Sequence, residues 1–334
     1  MRLDGISVTV AVVALQIEPI RLKGILAVEY SQMIRSLLVG FAAICVLLGT
    51  CPEAISKVPP PDLGFRPGVL PDRWPAGAAR CAGVPEFHVH RYNENFYIIR
   101  QSGCSNYEKP FLYLLFGRTR ALLIDTGAGR TEVGERIRKL VSKWRIRHHL
   151  RSIQLIVAHS HAHGDHIAGD SQFSGLRDVT LVSPNLASVT SFFGFTRWPE
   201  EVVTLDLGSR VLDVIPIPGH EATSLAFYDR ESAVLLTGDT LYPGRLYISD
   251  QAAYVRSIAR LVEFTRDKSV AHILGTHIEN TRTPYLDYPI GTRYQPDEHV
   301  LELGRGQLIE LNEALAEMRG SLVRKVMRDF TISP

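Results

Sequence analysis

The sequence predicts an α/β fold in which strands and helices alternate around a layered core. Short β-rich runs are bounded by turn residues, helical segments lie between later runs, and four strands end in His or Asp. Apolar residues make up 45% and charged residues 22% of the 334 residues, as in an ordinary globular protein with a substantial core. We therefore expect two sheets sandwiched between outer helices.

The predicted elements begin with a meander of strands. The first three runs are NFYIIRQ (95–101), FLYLLFG (111–117) and RALLIDTG (120–127). A helix is predicted over 131–144, and its apolar face comprises Val133, Ile137, Leu140, Val141 and Trp144. The later strands are SIQLIVAH (152–159), VLDVIPIPGH (211–220), AVLLTGD (233–239) and VAHILGTH (270–277). Two further helices are predicted over 251–266 and 306–320.

The first 51 residues are predicted to be an extension with a signal-like segment. Arg35 precedes an apolar stretch from Leu37 to Leu48, which has the length of a secretory h-region and is short for a transmembrane helix. Because a signal begins a chain, we expect translation to start at Met33 and the product to be exported, either to the periplasm or outside the cell. LLGTC, ending at Cys51, leaves a lipoprotein open, and the alternative is a buried or anchoring helix.

Residues 52–85 are predicted to form a Pro-rich linker, and residues 86–334 a single folded domain. Cys81 and Cys104 can pair in an oxidising compartment, but the sequence does not fix that pairing. The net charge of +2 gives no argument for nucleic acid binding, so the expected partner is a small-molecule substrate. Membrane contact is expected only through a lipid anchor or an uncleaved N-terminal segment, and the oligomeric state stays open.

The strongest functional signal is the histidine-rich run that follows the 152–159 strand. Imidazole and carboxylate groups are the ligands that zinc favours, with iron and manganese also possible. Because further His and Asp residues follow three later strands, we predict a site for two metal ions, most simply two Zn²⁺. The predicted ligands are His161, His163, Asp165, His166, His220, Asp239 and His277.

The register within the run follows from backbone alternation. His161 and His163 point the same way from an extended segment, and the chain then tightens so that Asp165 and His166 approach a second ion. A reading two residues earlier would require a ligand at Gly164, which has none. His159 is therefore predicted to be a hydrogen-bonded histidine at the strand end.

HSHAHGDH, with LLIDTGAG before it and IPGH, LLTGDTLYPG and ILGTH after it, resembles the metallo-β-lactamase fold superfamily over about residues 86–320. The resemblance implies an αβ/βα four-layer sandwich with a dinuclear site in a cleft at one edge. It implies one metal held by His161, His163, His220 and Asp239, and another held by Asp165, His166, Asp239 and His277. Asp125 would support the metal loop from beneath, and from the residues alone a turn-capping role explains it equally well.

Subfamily signals point towards acyl hydrolases. Asp239 stands where β-lactamases of the superfamily have Cys or Ser, and this is similar to glyoxalase II, lactonases and related enzymes. The segment after His277 does not resemble the helical glutathione-binding tail of glyoxalase II. Retention of all seven ligand positions favours a dinuclear hydrolase over the iron-dependent sulfur dioxygenases.

The predicted function is hydrolysis by a hydroxide bridging two metal ions, acting on an ester, thioester, lactone or related acyl substrate. Asp165 is the predicted catalytic residue, because it can orient the hydroxide and carry a proton to the leaving group. The alternatives are a phosphodiesterase or nuclease of the same fold and an iron-dependent sulfur- or oxygen-handling enzyme.

The aromatic run 192–199 either covers the cleft or packs on the body. Glu279 is a further carboxylate near the site, and the alternative is a solvated side chain on the strand-exit loop. Candidates for lining the pocket are Tyr242, Tyr285, Tyr288 and Tyr294, and the alternative for each is a place in the core or on the surface.

Overall fold

The computed structural model describes residues 66–75 and 77–334, which lie in one compact unit. The signal-like segment, Met33, Cys45 and Cys51 lie outside the described residues. Within those two ranges, we find no helix with the length and apolar character needed to span a bilayer.

The first sheet contains six strands that are neighbours in chain order. They are β1 (Phe87–Asn93), β2 (Phe96–Gln101), β3 (Phe111–Phe116), β4 (Arg120–Ile124), β5 (Gln154–Ala158) and β6 (Val179–Leu181). The first four form an antiparallel meander, as the short connections require. The last three are parallel, because helix α1 (Val133–Arg147) connects β4 to β5, and α2 (Gly164–Ile167) lies between β5 and β6.

The second sheet also has six strands, which are β7 (Val203–Asp206), β8 (Val211–Pro216), β9 (Leu225–Asp229), β10 (Val234–Gly238), β12 (His272–Gly275) and β13 (Glu302–Leu303). Their order across the sheet is β13-β12-β10-β9-β8-β7. A small third sheet is formed by β11 (Arg245–Tyr247), β14 (Lys325–Val326) and β15 (Thr331–Ser333). The remaining helices are α3 (Leu186–Phe193), α4 (Gln251–Phe264) and α5 (Arg305–Glu317).

Three apolar clusters define the layers of the fold. One lies between the two large sheets and includes Ile156 of β5 and Leu236 of β10. A second joins the outer face of the first sheet to α1, where Trp144 is buried. The third joins the outer face of the second sheet to α4 and α5. The predicted αβ/βα sandwich is therefore confirmed.

Residues before β1 also contact the folded body. The Trp74 ring packs edge to face on Phe111, with 4.9 Å between ring centroids, and Trp74 belongs to the cluster between the sheets. Cys81 forms a disulfide with Cys104 in the β2–β3 loop. Folded contacts thus begin inside the segment whose composition predicts a linker, and the domain boundaries stay a prediction.

Candidate metal centre

The two sheets bring the predicted ligands to one edge of the sandwich. Strands β8, β10 and β12 run in the same direction, because β9 is antiparallel to both β8 and β10 and β12 is parallel to β10. Side chains that follow their carboxyl ends therefore meet at one edge. His220, Asp239 and His277 occupy these places, and the histidine-rich run leaves β5 of the facing sheet at the same edge.

His161, His163 and His220 form the first ligand group. The distance is 3.0 Å from His161 Nε2 to His163 Nδ1, 3.2 Å from His161 Nε2 to His220 Nε2, and 3.0 Å from His163 Nδ1 to His220 Nε2. Two nitrogens on one tetrahedral zinc lie about 3.3 Å apart, given Zn–N bonds of about 2.0–2.1 Å. The triangle therefore has nearly the size that a single ion requires. His163 is exposed, so this group opens to solvent.

Asp165, His166, Asp239 and His277 form the second ligand group. Asp165 Oδ2 lies 3.3 Å from His277 Nε2 and 3.4 Å from His166 Nε2. Asp165 and His166 belong to the single turn of α2, which begins at Gly164 and provides the tightening expected after the extended His161–His163 segment.

Asp239 faces both groups. Its Oδ2 lies 3.8 Å from His161 Nε2, 3.7 Å from His220 Nε2 and 3.6 Å from His166 Nε2, and its Oδ1 lies 3.5 Å from His277 Nε2. The Thr276 hydroxyl donates to Oδ1 and fixes the carboxylate orientation. One carboxylate is thus placed where two neighbouring cations would share it.

Three histidines are oriented by acceptors behind them. The Nδ1 atoms of His220 and His277 donate to the backbone carbonyls of Tyr247 (2.8 Å) and Glu108 (2.9 Å). His166 Nδ1 donates to Asp125 Oδ2 over 2.9 Å. Because these partners accept hydrogen bonds, the proton of each neutral imidazole resides on Nδ1, which leaves Nε2 as the atom that would bind a metal ion.

Asp125 lies beneath the histidine-rich run. It is fully buried, has the left-handed φ of +68°, and accepts from the Ser160 backbone N–H (2.7 Å) and hydroxyl (2.8 Å) in addition to His166. Gly238 permits this close packing, because a Cβ there would lie 2.8 Å from the Cβ of Ser160. Asp125 therefore combines the two roles left open by the sequence, since it holds a backbone turn and also orients a ligand.

Of the other sequence-predicted candidates, Tyr242 contacts a ligand, whereas His159, Glu279 and the 192–199 run have partners elsewhere. His159 Nε2 bonds to Asp170 Oδ1 at 2.9 Å, so it is a hydrogen-bonded histidine at the strand end. Glu279 pairs with Arg245 at 2.8 Å. In the 192–199 run, Phe195 is buried between the sheets, so this run packs on the body. Tyr242 is buried and stacks edge to face on His277 at 5.7 Å, which makes it a wall of the centre.

Two tyrosines that sequence reasoning missed stand at the open side. Tyr107 and Tyr247 each have 39% of their surface exposed. The pKa of Tyr107 is raised, first by a hydrogen bond with Glu108 and further by the negative charge of Asp165 nearby. The carbonyl of Glu108, the residue after Tyr107, holds His277, and the carbonyl of Tyr247 holds His220. No side-chain pattern in the sequence indicates such backbone contacts.

The electrostatics of the centre favour a cation. Burial, together with the charge of His166, lowers the pKa of His161 well below its ordinary value, so His161 offers a free lone pair. Burial alone would raise the pKa of Asp239, but His277, His166 and His161 hold it well below its usual range. Burial lowers the pKa of His277, yet Asp239 and Asp165 outweigh this and raise it to about 9. Metal binding at His277 is therefore expected to displace a proton.

The donor atoms of the two groups fit metal ions. His166 Nε2 is buried and has no hydrogen-bond partner among the described residues, although it faces two carboxylates. A buried polar atom of this kind is costly unless a ligand satisfies it. Imidazole nitrogens and carboxylate oxygens in two groups match the preferences of zinc and, less specifically, of iron and manganese.

Comparison with known proteins identifies a family over the middle of the chain. The sequence model of the metallo-beta-lactamase superfamily matches residues 110–271. The chain contains a metallo-β-lactamase superfamily domain. A metallo-beta-lactamase from Pontibacter korlensis is a structural neighbour with 16% identity and a TM-score of 0.46, covering 69% of this chain and 99% of that one.

Curated relatives of the metallo-β-lactamase domain are hydrolases. Hydroxyacylglutathione hydrolase of Brucella anthropi is 28% identical over 114 residues, which are 33% of this chain and 44% of the relative. The chain thus spans less than half the length of this relative. Acyl-coenzyme A thioesterase MBLAC2 of Bos taurus is 24% identical over 230 residues, which are 58% of this chain and 81% of the relative.

Proposed function

We propose that this chain is a dinuclear metal-dependent hydrolase that cleaves an ester, thioester, lactone or related acyl substrate, with thioesters the first class to test. The observation that supports this most directly is the position of Asp239, whose two oxygens face both ligand groups. The names of two relatives, a hydroxyacylglutathione hydrolase and an acyl-coenzyme A thioesterase, favour acyl transfer to water.

Some residues of the chain would bind the metal ions, and others orient the imidazoles that bind them. Two divalent cations, most simply Zn²⁺, would supply a hydroxide nucleophile and an electrophile for the substrate carbonyl. His161, His163 and His220 would hold one cation, Asp165, His166 and His277 would hold the other, and Asp239 would be shared. Three of these imidazoles are kept in the tautomer that leaves Nε2 for a metal ion. The acceptors that do so are the Tyr247 carbonyl for His220, the Glu108 carbonyl for His277 and the Asp125 carboxylate for His166.

Asp165 orients the attacking water. Burial would raise the pKa of its carboxyl, but His166 and His277 hold it below the usual range, so the group is ionised and accepts a hydrogen bond. Its side chain is 22% exposed, which places it at the boundary between the buried ligands and the open side. From there Oδ2 can accept the proton that the attacking water releases and pass it to the departing sulfur or oxygen.

The test is a substrate panel assayed with zinc-loaded protein. The panel contains an acyl thioester, an aryl ester, a lactone, a β-lactam and a phosphodiester. We expect the thioester or ester to be hydrolysed fastest, and Asp239→Asn to lower kcat/KM by at least about 100-fold because one carboxylate serves both ions. Asp178→Asn, which changes an exposed carboxylate elsewhere, serves as the matched control and should retain activity.

Two results would contradict the proposal. One is zinc-loaded wild-type protein that hydrolyses no carbonyl substrate. The other is preferential hydrolysis of the phosphodiester, which would favour the phosphodiesterase alternative of the same fold.

A further inference from the structure

The loop formed by residues 281–300, between β12 and β13, presents large apolar side chains to solvent. Tyr285 is 65% exposed, Leu286 52%, Ile290 72% and Tyr294 44%. Val300, at the end of the loop, is 36% exposed. Single exposed apolar residues are common on protein surfaces, but five on one loop form a candidate contact surface. We call this segment the 281–300 loop.

The backbone of the 281–300 loop is held in place on the body. Isolated β-bridges pair Asn280 with Asp287 and Thr281 with Glu298, and Thr281 N–H donates to the Leu286 carbonyl over 2.8 Å. Glu298 also forms a buried ion pair with Arg100 of β2. The apolar side chains are therefore displayed by a fixed backbone, which reduces the entropy lost when a ligand binds.

One attachment connects the loop to the second ligand group. The buried Lys109 Nζ donates to the carbonyls of Thr292 (3.0 Å) and Tyr107 (2.7 Å). The residue between Tyr107 and Lys109 is Glu108, whose carbonyl holds His277. The 281–300 loop thus meets the segment that forms one side of the metal centre.

A second attachment connects the loop to the first ligand group. Arg245 Nη1 donates to Asp287 Oδ2 (2.7 Å) and to the Tyr288 carbonyl (2.8 Å), while its Nε donates to the Tyr247 hydroxyl (3.0 Å). The Tyr247 carbonyl in turn holds His220. The loop is therefore fastened beside both exposed tyrosines at the open side of the centre.

We propose that the 281–300 loop binds the apolar acyl portion of the substrate whose carbonyl reacts at the metal centre. This inference rests on the proposed acyl hydrolysis and adds its substrate class, medium- to long-chain acyl groups. A polar reacting carbonyl next to a hydrocarbon tail matches a polar centre bordered by a fixed apolar surface. Burial of methylene groups against that surface would then provide selectivity for chain length.

The test compares chain lengths in single-residue variants of the full chain. With zinc-loaded protein, kcat/KM is measured for p-nitrophenyl octanoate and p-nitrophenyl acetate. We expect Ile290→Ser to lower the octanoate-to-acetate ratio about tenfold, the change that loss of much of one apolar side-chain contact produces, and Ile290→Leu to preserve it. Ile146→Ser, which alters an equally apolar side chain that is 62% exposed on α1, is the matched control and should keep the wild-type ratio.

The possible failures are distinguishable. If wild type hydrolyses both esters but Ile290→Ser and Leu286→Ser keep the wild-type ratio, the loop does not bind the acyl chain and only this inference fails. An equal change in Ile146→Ser would overturn it as well. If wild type is a dimer and Ile290→Ser is a monomer with an unchanged ratio, the surface binds a second copy instead. If wild type hydrolyses another acyl substrate of the panel but neither of these two esters, only this inference fails. If it hydrolyses no carbonyl substrate, both this inference and the proposed function fail.

Discussion

Asp125 supports the centre although its side chain belongs to neither ligand group. It holds the backbone of Ser160 and the Nδ1 of His166 at the same time. Its left-handed backbone is one that Asn and Asp tolerate well. A change from Asp to Asn therefore tests the hydrogen bond to His166 with little change in backbone strain.

We predict that Asp125→Asn weakens zinc binding at the second ligand group about 10–100-fold. The new amide N–H₂ would face the His166 Nδ1–H, so the imidazole would lose the acceptor that fixes its tautomer. Competition with a chromophoric chelator measures this affinity.

His159→Ala is the control for that prediction. His159 lies at the same strand end but bonds to Asp170, and its removal should leave both zinc affinities at the wild-type level. Unchanged affinity in Asp125→Asn, or loss of an ion in His159→Ala, would contradict the assigned roles.

Single residues also show what sequence reasoning can and cannot provide. The ligands between His161 and His166 are predictable from the sequence, because they are close together in the chain and Gly164 excludes the other register. The hydrogen bonds to the carbonyls of Glu108 and Tyr247 are not predictable, because any residue type provides a carbonyl. His277 and Glu108 lie 169 residues apart in sequence, so only the folded chain shows that they meet.

At the level of elements, the β2–β3 loop connects several features of the centre. It contains Cys104, Tyr107 and Glu108, and the disulfide to Cys81 fastens it to the segment before β1. The sequence left this pairing open. The structure resolves it because the segment before β1 packs against the first sheet through Trp74.

We predict that the double variant Cys81→Ser/Cys104→Ser unfolds with a free energy about 2–4 kcal/mol lower than wild type. The disulfide spans 23 residues, and its removal enlarges the ensemble of unfolded conformations. Guanidinium titration followed by circular dichroism measures the difference. A reductant should lower wild-type stability towards the variant and leave the variant unchanged, whereas equal unfolding midpoints without reductant would contradict the prediction.

The placement of strands was more predictable than the way they join. Apolar runs ending in His or Asp identified β5, β8, β10 and β12 correctly. The sequence gives no comparable signal for the contacts that join the sheets at the metal edge, where Leu225 N–H donates to the Ser160 carbonyl over 2.7 Å. Such a contact depends on how one sheet stacks on the other.

For the whole molecule, two sheets of equal strand number face each other, and the ligands come from both. The histidine-rich run belongs to the first sheet, whereas His220, Asp239 and His277 follow strands of the second. The centre therefore exists only when both halves of the sandwich are folded together. Export and the start at Met33 stay predictions, since that segment lies outside the described residues.

The most direct test of a two-ion centre is the number of metal ions bound per chain, measured by native mass spectrometry after zinc reconstitution. We expect about two ions in wild type and about one each in His163→Ala and His277→Ala, because each variant removes a ligand from one group only. A single ion in wild type, or two ions retained in both variants, would contradict the division of the seven residues into two sites that share Asp239.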